Sequence, residues 1–159
     1  MPTRKSLYYW DSPIFISWLQ DEKRKPGEME GVFELATKFE KKEIVLITSV
    51  VTLTEVLETR ISPQAAKIFE RFFKRRRAVL INLDPRIASL AGSIRAYYLQ
   101  KGKQLSTPDS QHLATAIQHK VDELHTFDED DLLPLNGNVA NHPLVICKPH
   151  APQLRFEGM

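Results

Sequence analysis

The chain reads as an α/β fold, a three-layer α/β/α sandwich around a central parallel sheet of about five strands. Three features predict it. Short apolar runs alternate along the chain with segments of helical periodicity, turn or helix-start residues separate the two kinds, and no repeat or low-complexity tract interrupts the alternation. Strands alternating with helices imply a parallel sheet covered on both faces.

The strand candidates are residues 7–10, 44–48, 78–83, 123–126 and 144–147, each short and rich in β-branched, aromatic or other apolar residues. Helical spacing fills the intervals. Ala65, Ile68, Phe69, Phe72 and Phe73 recur at helix-face intervals, as do Ile87, Leu90, Ala91, Ile94 and Tyr98, and then Leu113, Ala114, Ile117 and Val121. Ser12 before Pro13 and Thr107 before Pro108 fit N-caps followed by proline at the first helical position. In the segment after residue 48, Val50, Leu53 and Leu57 form the apolar stripe, and Glu55 lies off it.

At 159 residues the chain is long enough for one domain with a substantial core, expected over 1–147 with a tail at 148–159. The formal charge is +2, from 22 basic and 20 acidic side chains, so no overall electropositive field captures nucleic acid. Any such contact must be local. Cys147 is the only cysteine, which excludes an intramolecular disulfide and a multi-cysteine zinc site and is compatible with a reducing cytoplasm. The apolar stretch at 7–19 is too short to span a membrane, carries Asp11 at its middle and lacks the cleavage pattern of a signal peptide. A cytoplasmic protein is the expectation. The charge-dense segment 21–30 and the tail are the least globular pieces, either disordered or turned to a partner.

Asp11, Glu55, Asp109 and Asp128 each stand where an apolar segment gives way to a turn or helix start. A doubly wound α/β chain brings the carboxyl ends of its strands to one rim, so carboxylates remote in sequence can converge there and hold a divalent cation. Each also has a plainer reading. Asp11 can terminate a strand, Glu55 can be an exposed helix residue with Glu58 as its substitute, Asp109 can complement a helix dipole, and Asp128 can belong to a solvated acidic run in which Asp130 is the alternative. Ser12 and Thr126 are candidates to hydrogen-bond the carboxylates or metal waters, or else local caps. His112 reads as a packed or exposed helix residue, and Tyr8, Tyr9, Trp10, Phe15 and Trp18 as core. Lys74, Arg75, Arg76 and Arg77 form the densest basic cluster, a solvated helix end or, if it faces the acidic rim, a phosphate-backbone contact.

Read together, Trp10-Asp11-Ser12-Pro13, Thr54-Glu55-Val56, Pro108-Asp109 with His112-Leu-Ala-Thr-Ala, and Thr126-Phe-Asp128 resemble the PIN-domain nucleases, closest to the VapC toxin type, in order over roughly residues 6 to 147. The resemblance implies the strand order 3-2-1-4-5 and an endoribonuclease that uses Mg2+ or Mn2+ held by Asp11, Glu55, Asp109 and Asp128. One ion or two is left open. It also implies the toxin of a toxin–antitoxin pair, with an RNA substrate, a small antitoxin protein as partner and a homodimer, for which the apolar residues of 63–73 are the candidate surface. The run Glu129-Asp130-Asp131-Leu132 departs from the family, whose block often closes on an aromatic, so the neighbouring loop should differ. The competing readings are a non-catalytic PIN-like module that binds RNA or protein, and a PIN nuclease that processes RNA without being a toxin. An aspartyl-phosphate enzyme fits poorly, because Pro13 stands where a dehalogenase-like phosphatase needs a second Asp.

Overall fold

Side chains alternate in direction along a strand, and the central strand of this protein uses that alternation to divide the core in two. The computed structural model describes residues 4–150. In strand β1 (Ser6–Trp10), Tyr8 and Trp10 turn to one face of the sheet while Tyr9 turns to the other, all three buried. Helices α1 (Ser12–Gln20) and α2 (Glu28–Glu40) follow and lead to β2 (Ile44–Ser49). Next come α3 (Val51–Leu57), α4 (Pro63–Phe72) and β3 (Ala78–Ile81). The chain then crosses through α5 (Pro85–Gln100) and α6 (Thr107–Gln118) to β4 (Glu123–His125) and ends the sheet, after a 3-10 turn at Leu133–Leu135, with β5 (Ile146–Cys147).

All four strand pairings are parallel and the order is β3-β2-β1-β4-β5, as the resemblance implied. Tyr9, Ile47 and Leu124 pack with Ile87, Ile94 and Leu113 of α5 and α6 on one face. Tyr8, Trp10 and Leu46 pack with Phe15, Leu35, Phe69 and Phe72 of α1, α2 and α4 on the other. Fully burying such an apolar side chain contributes about 1.5–3 kcal/mol. These two cores therefore hold three layers together.

The observed strands overlap every expected one and differ at their ends. The helix starts also differ by one residue from expectation. Asp11, not Ser12, caps α1, its carboxylate accepting from Ser12 N at 2.8 Å; Ser106, not Thr107, caps α6, its hydroxyl accepting from Asp109 N at 3.1 Å. Proline sits at the second helical position instead of the first, which a donor-free nitrogen equally tolerates. Ser62 and Asp84 cap α4 and α5 in the same way before Pro63 and Pro85.

In α3 the buried positions are Thr52 and Val56, and Leu57 is exposed, so the expected Val50, Leu53, Leu57 stripe is corrected. A polar residue defines the inner face because Thr52 shares a 2.6 Å hydrogen bond with Thr48, which donates to the Trp10 carbonyl at 2.8 Å. Segment 21–30 is likewise placed. Glu28, Met29 and Glu30 open α2, the Arg24 guanidinium donates to Ser17 at 2.6 Å and lies 4.1 Å over the Phe127 ring, and Lys25 pairs with Glu129 at 3.0 Å. Of the expected tail, residues 151–159 lie outside the described residues. Lys148 pairs with Glu28 at 2.9 Å and Glu129 at 2.7 Å, and the Pro149 backbone runs so close to α2 that a Cβ at Gly31 would lie 2.0 Å from its carbonyl oxygen.

Candidate active site

The crossovers leave β1 toward β2 on one side and return to β4 on its other side, so the carboxyl end of β1 is the topological switch point, where α/β sheets bind ligands. Asp11 stands there. Glu55 comes from the helix after β2, and Asp109 from the first turn of α6, which runs back toward the start of β4 and so begins at this same rim. Thr126 and Asp128 follow β4.

Asp11 is buried and fully engaged. One carboxylate oxygen accepts from Ser12 N, the other from the Thr126 hydroxyl at 2.9 Å, and His112 Nε2 lies 3.5 Å from Oδ1. His112 is completely buried on α6 and also meets Glu55 Oε1 at 2.5 Å, where the Ser12 hydroxyl donates at 2.7 Å. Behind it, Nδ1 lies 2.5 Å from the Tyr9 hydroxyl, which accepts from Ser49 N at 3.1 Å. Ser12 and Thr126 thus both touch carboxylates, and His112 ties Asp11 to Glu55.

The second group of acids is Asp109, Asp128 and Asp131, each offering an oxygen within 4.8 Å of the others. Asp128 Oδ1 accepts from Asp130 N at 3.0 Å and Asp131 N at 2.9 Å, which folds the acidic run into a turn. That turn presents Asp131 beside Asp128. Thr126 Oγ1 links the two groups, accepting from Asp128 N at 3.1 Å while donating to Asp11.

Charge follows geometry. Burial and the neighbouring Asp11 push the Asp109 carboxyl up to about 6, with Asp128 adding to the rise. Burial raises Asp11 as well, against the pull of His112 and its hydrogen bonds. For His112, burial opposes the imidazolium, yet Asp11, Glu55 and Asp109 outweigh it and raise the pKa overall. Partial burial would raise Glu55, but its contact with His112 lowers it. His112 therefore draws the Glu55 carboxyl down, while burial raises Asp11 and Asp109 in spite of its pull.

The structure brings Asp11, Glu55, Asp109 and Asp128 to one rim as two adjoining groups, Asp11 with Glu55 and Asp109 with Asp128. Their donors are carboxylate oxygens, the ligand type that Mg2+ and Mn2+ prefer. Sequence reasoning missed two participants. His112 follows Asp109 by three on a buried helix face, a polar residue within an apolar stripe; Asp131 follows Asp128 by three across a turn. Lys74, Arg75, Arg76 and Arg77 lie elsewhere. They precede β3 in a parallel sheet, hence stand at its amino edge, opposite the acidic rim, and Arg75 is held there by Glu40 at 2.6 and 2.8 Å with its guanidinium 5.3 Å over Phe39. Among the apolar residues of 63–73, Ala65, Phe69 and Phe72 are core, which leaves Ile68, 44% exposed, as the outward large side chain.

The family model for the PIN domain matches residues 8–133, most of the chain and the whole acidic set. The chain belongs to the PIN-domain family. Several solved PIN structures share its fold. VapBC2 from Rickettsia felis bound to a promoter DNA fragment aligns with a TM-score of 0.65 at 16% identity, over 88% of this chain and 96% of that one. VapBC from Salmonella typhimurium bound to DNA gives 0.60 at 19%, over 89% and 98%. VapC20 of Mycobacterium tuberculosis, a sarcin-ricin-loop-cleaving toxin, gives 0.57 at 16%, over 77% and 91%. At these identities the likeness establishes the PIN fold. No curated protein matches the sequence.

Proposed function

We propose that this PIN-domain protein is an endoribonuclease dependent on Mg2+ or Mn2+, with Asp11, Glu55, Asp109 and Asp128 as the metal-holding and catalytic acids. The observation that carries the reading is the meeting of these remote acids at the switch point of the sheet, with Asp11 and Asp109 close enough to repel. An acid cluster of this kind opposes folding unless a cation joins it. When bound, the metal supplies Lewis acidity, lowering the pKa of a water and neutralising charge on the phosphate.

The chain's own residues do the rest. Thr126 and Ser12 N fix both oxygens of Asp11, and Ser12 and His112 fix Glu55, so these carboxylates need no reorganisation when substrate arrives. Asp109 must give up its proton before it ligates. Asp131 adds an oxygen at the outer edge of the pocket.

The biological reading we favour is the toxin of a type II pair, acting on RNA in the cytoplasm, held inactive by a small antitoxin protein and working as a homodimer. Supporting it is the fold shared with VapBC and FitAB complexes. Among the described residues no helix is long and apolar enough to cross a membrane.

Incubating the purified protein with structured RNAs and Mg2+ tests the activity. Cleavage is expected to vanish with chelator and to fall more than about 100-fold in Asp11→Asn and Asp109→Asn, since the Lewis-acid effect is of order several kcal/mol. RNA bound but never cut would establish a binding module instead. Growth arrest on expression, relieved by Asp11→Asn or by a co-expressed neighbouring short reading frame, separates a toxin from an RNA-processing nuclease.

A further inference from the structure

A second cluster of metal-binding side chains lies on the face of the sheet covered by α1 and α2, whereas His112 lies on α6 against the other face. Glu123 and His125 alternate along β4 and so point the same way, and His125 is the register partner of Cys147 on β5. His150 follows three residues later. The close passage of Pro149 over Gly31 of α2 brings its imidazole ring to 5.9 Å from that of His125.

The four side chains converge on one point. Glu123 Oε1 lies 2.8 Å from His125 Nε2, 3.1 Å from His150 Nε2 and 3.5 Å from Cys147 Sγ, and one ligand atom from each of the four falls within 4.8 Å of all the others. Zinc bonds of about 2.0–2.1 Å to nitrogen and about 2.3 Å to sulfur set tetrahedron edges of about 3.3–3.8 Å. The three edges from Glu123, at 2.8–3.5 Å, are near that size, and the remaining edges lie within 4.8 Å. One thiol, two imidazoles and one carboxylate also match the borderline-soft donor set that selects zinc over magnesium.

We propose that Glu123, His125, Cys147 and His150 form a four-coordinate Zn2+ site that staples β4, β5 and the segment after β5 to one another. All four positions are taken by protein, so the site is structural and takes no part in hydrolysis. β5 has only two residues in the ladder, and a metal bridge from Cys147 to His125 holds this short edge strand in register. His125 is fully buried, while Glu123, Cys147 and His150 are partly open, which gives an ion its entry path.

Co2+ titration of the chelator-treated full-length protein tests this, with Zn2+ as competitor. Expected is one equivalent of Co2+ that produces a thiolate-to-cobalt charge-transfer band, is displaced by Zn2+, and raises the melting temperature. Cys147→Ser should abolish the band and His150→Ala should weaken affinity by more than the roughly 10–100-fold that loss of a supporting partner costs. His150→Ala changes a side chain that is 42% exposed and keeps the test valid if the cysteine variant folds poorly. The acidic pocket offers carboxylate oxygens and the His112 imidazole but no sulfur, so uptake without a sulfur band places the ion there and overturns the proposal, as does no uptake. Both variants are expected to retain Mg2+-dependent RNA cleavage, so this site and the nuclease reading succeed or fail separately.

Discussion

Asp109 and His112 sit one turn apart on α6 and titrate in ways that give the acidic pocket its pH dependence. A carboxyl raised to about 6 in the folded state binds its proton more tightly there than in the unfolded chain. Its stabilising effect is therefore complete at low pH and disappears as pH rises from about 4 to about 6. His112 is raised above its ordinary value, so its contribution is fully present below about 6.5 and is lost as pH climbs through the folded pKa. Melting curves of metal-free protein should fall in both windows. Asp109→Asn should remove the first decline and raise the melting temperature at pH 7, while a melting temperature unchanged by the substitution would contradict the repulsion. In the intact protein Mg2+ affinity should drop about tenfold per pH unit below about 6, because each ion taken up then displaces one proton. His112→Ala should cost about 3 kcal/mol at pH 6 by urea melts, the low end of the range for orphaning a buried charge, since Glu55 is 27% exposed and Asp11 only 5%. The role of His112 was hidden in the sequence. A histidine on a buried helix face looks like packing until the two carboxylates it bridges, more than fifty and one hundred residues away in the chain, are placed beside it.

Elements were more legible than residues, because their signals are local. Proline near a helix start announced α1 and α6, but the cap itself went to the residue before the one expected, since a side-chain oxygen must reach back over the first turn. Ser106 caps α6 through the Asp109 amide, so Ser106→Ala should cost about 1 kcal/mol and also loosen Asp109. A loss of stability with unchanged cleavage would show that the cap holds the helix and not the acid. α3 misled for a different reason: its buried face is built on Thr52, whose hydroxyl bonds Thr48 across the strand turn, a contact periodicity cannot register. Gly31 is the converse, a helix glycine whose reason lies in the far end of the chain. Gly31→Ala should destabilise the protein by about 1–3 kcal/mol through the clash with Pro149. In a chain ending at Lys148 the same substitution should instead gain about 0.5–1 kcal/mol of helix propensity. Thermal melts of the two single changes and their combination measure that reversal.

At the scale of the whole molecule, strand number, layer order and the rim on which the acids meet all followed from the alternation of apolar runs and helical spacing, because a right-handed parallel crossover leaves few arrangements. What the sequence left open was the edge occupied by the basic cluster. The acids gather at the carboxyl edge and Lys74 to Arg77 at the amino edge, so a modest net charge of +2 conceals two poles. Near the Asp128 turn the cations are already committed, Lys25 to Glu129 and Lys148 to both Glu28 and Glu129. Among the described residues, RNA at the pocket therefore meets few free cations. With about 0.7 counterions released per phosphate contact on a single strand, one or two contacts give a log–log salt slope near −1. Arg76→Ala and Arg77→Ala should leave both that slope and the cleavage rate within about twofold of the parent, Arg75 being excluded because it braces Glu40. A slope steeper by about 0.7 for each arginine retained would instead mean that the strand wraps the sheet edge to reach the amino pole. Cleavage assays at several salt concentrations, run on Asp109→Asn as an uncut binding control, distinguish the two paths.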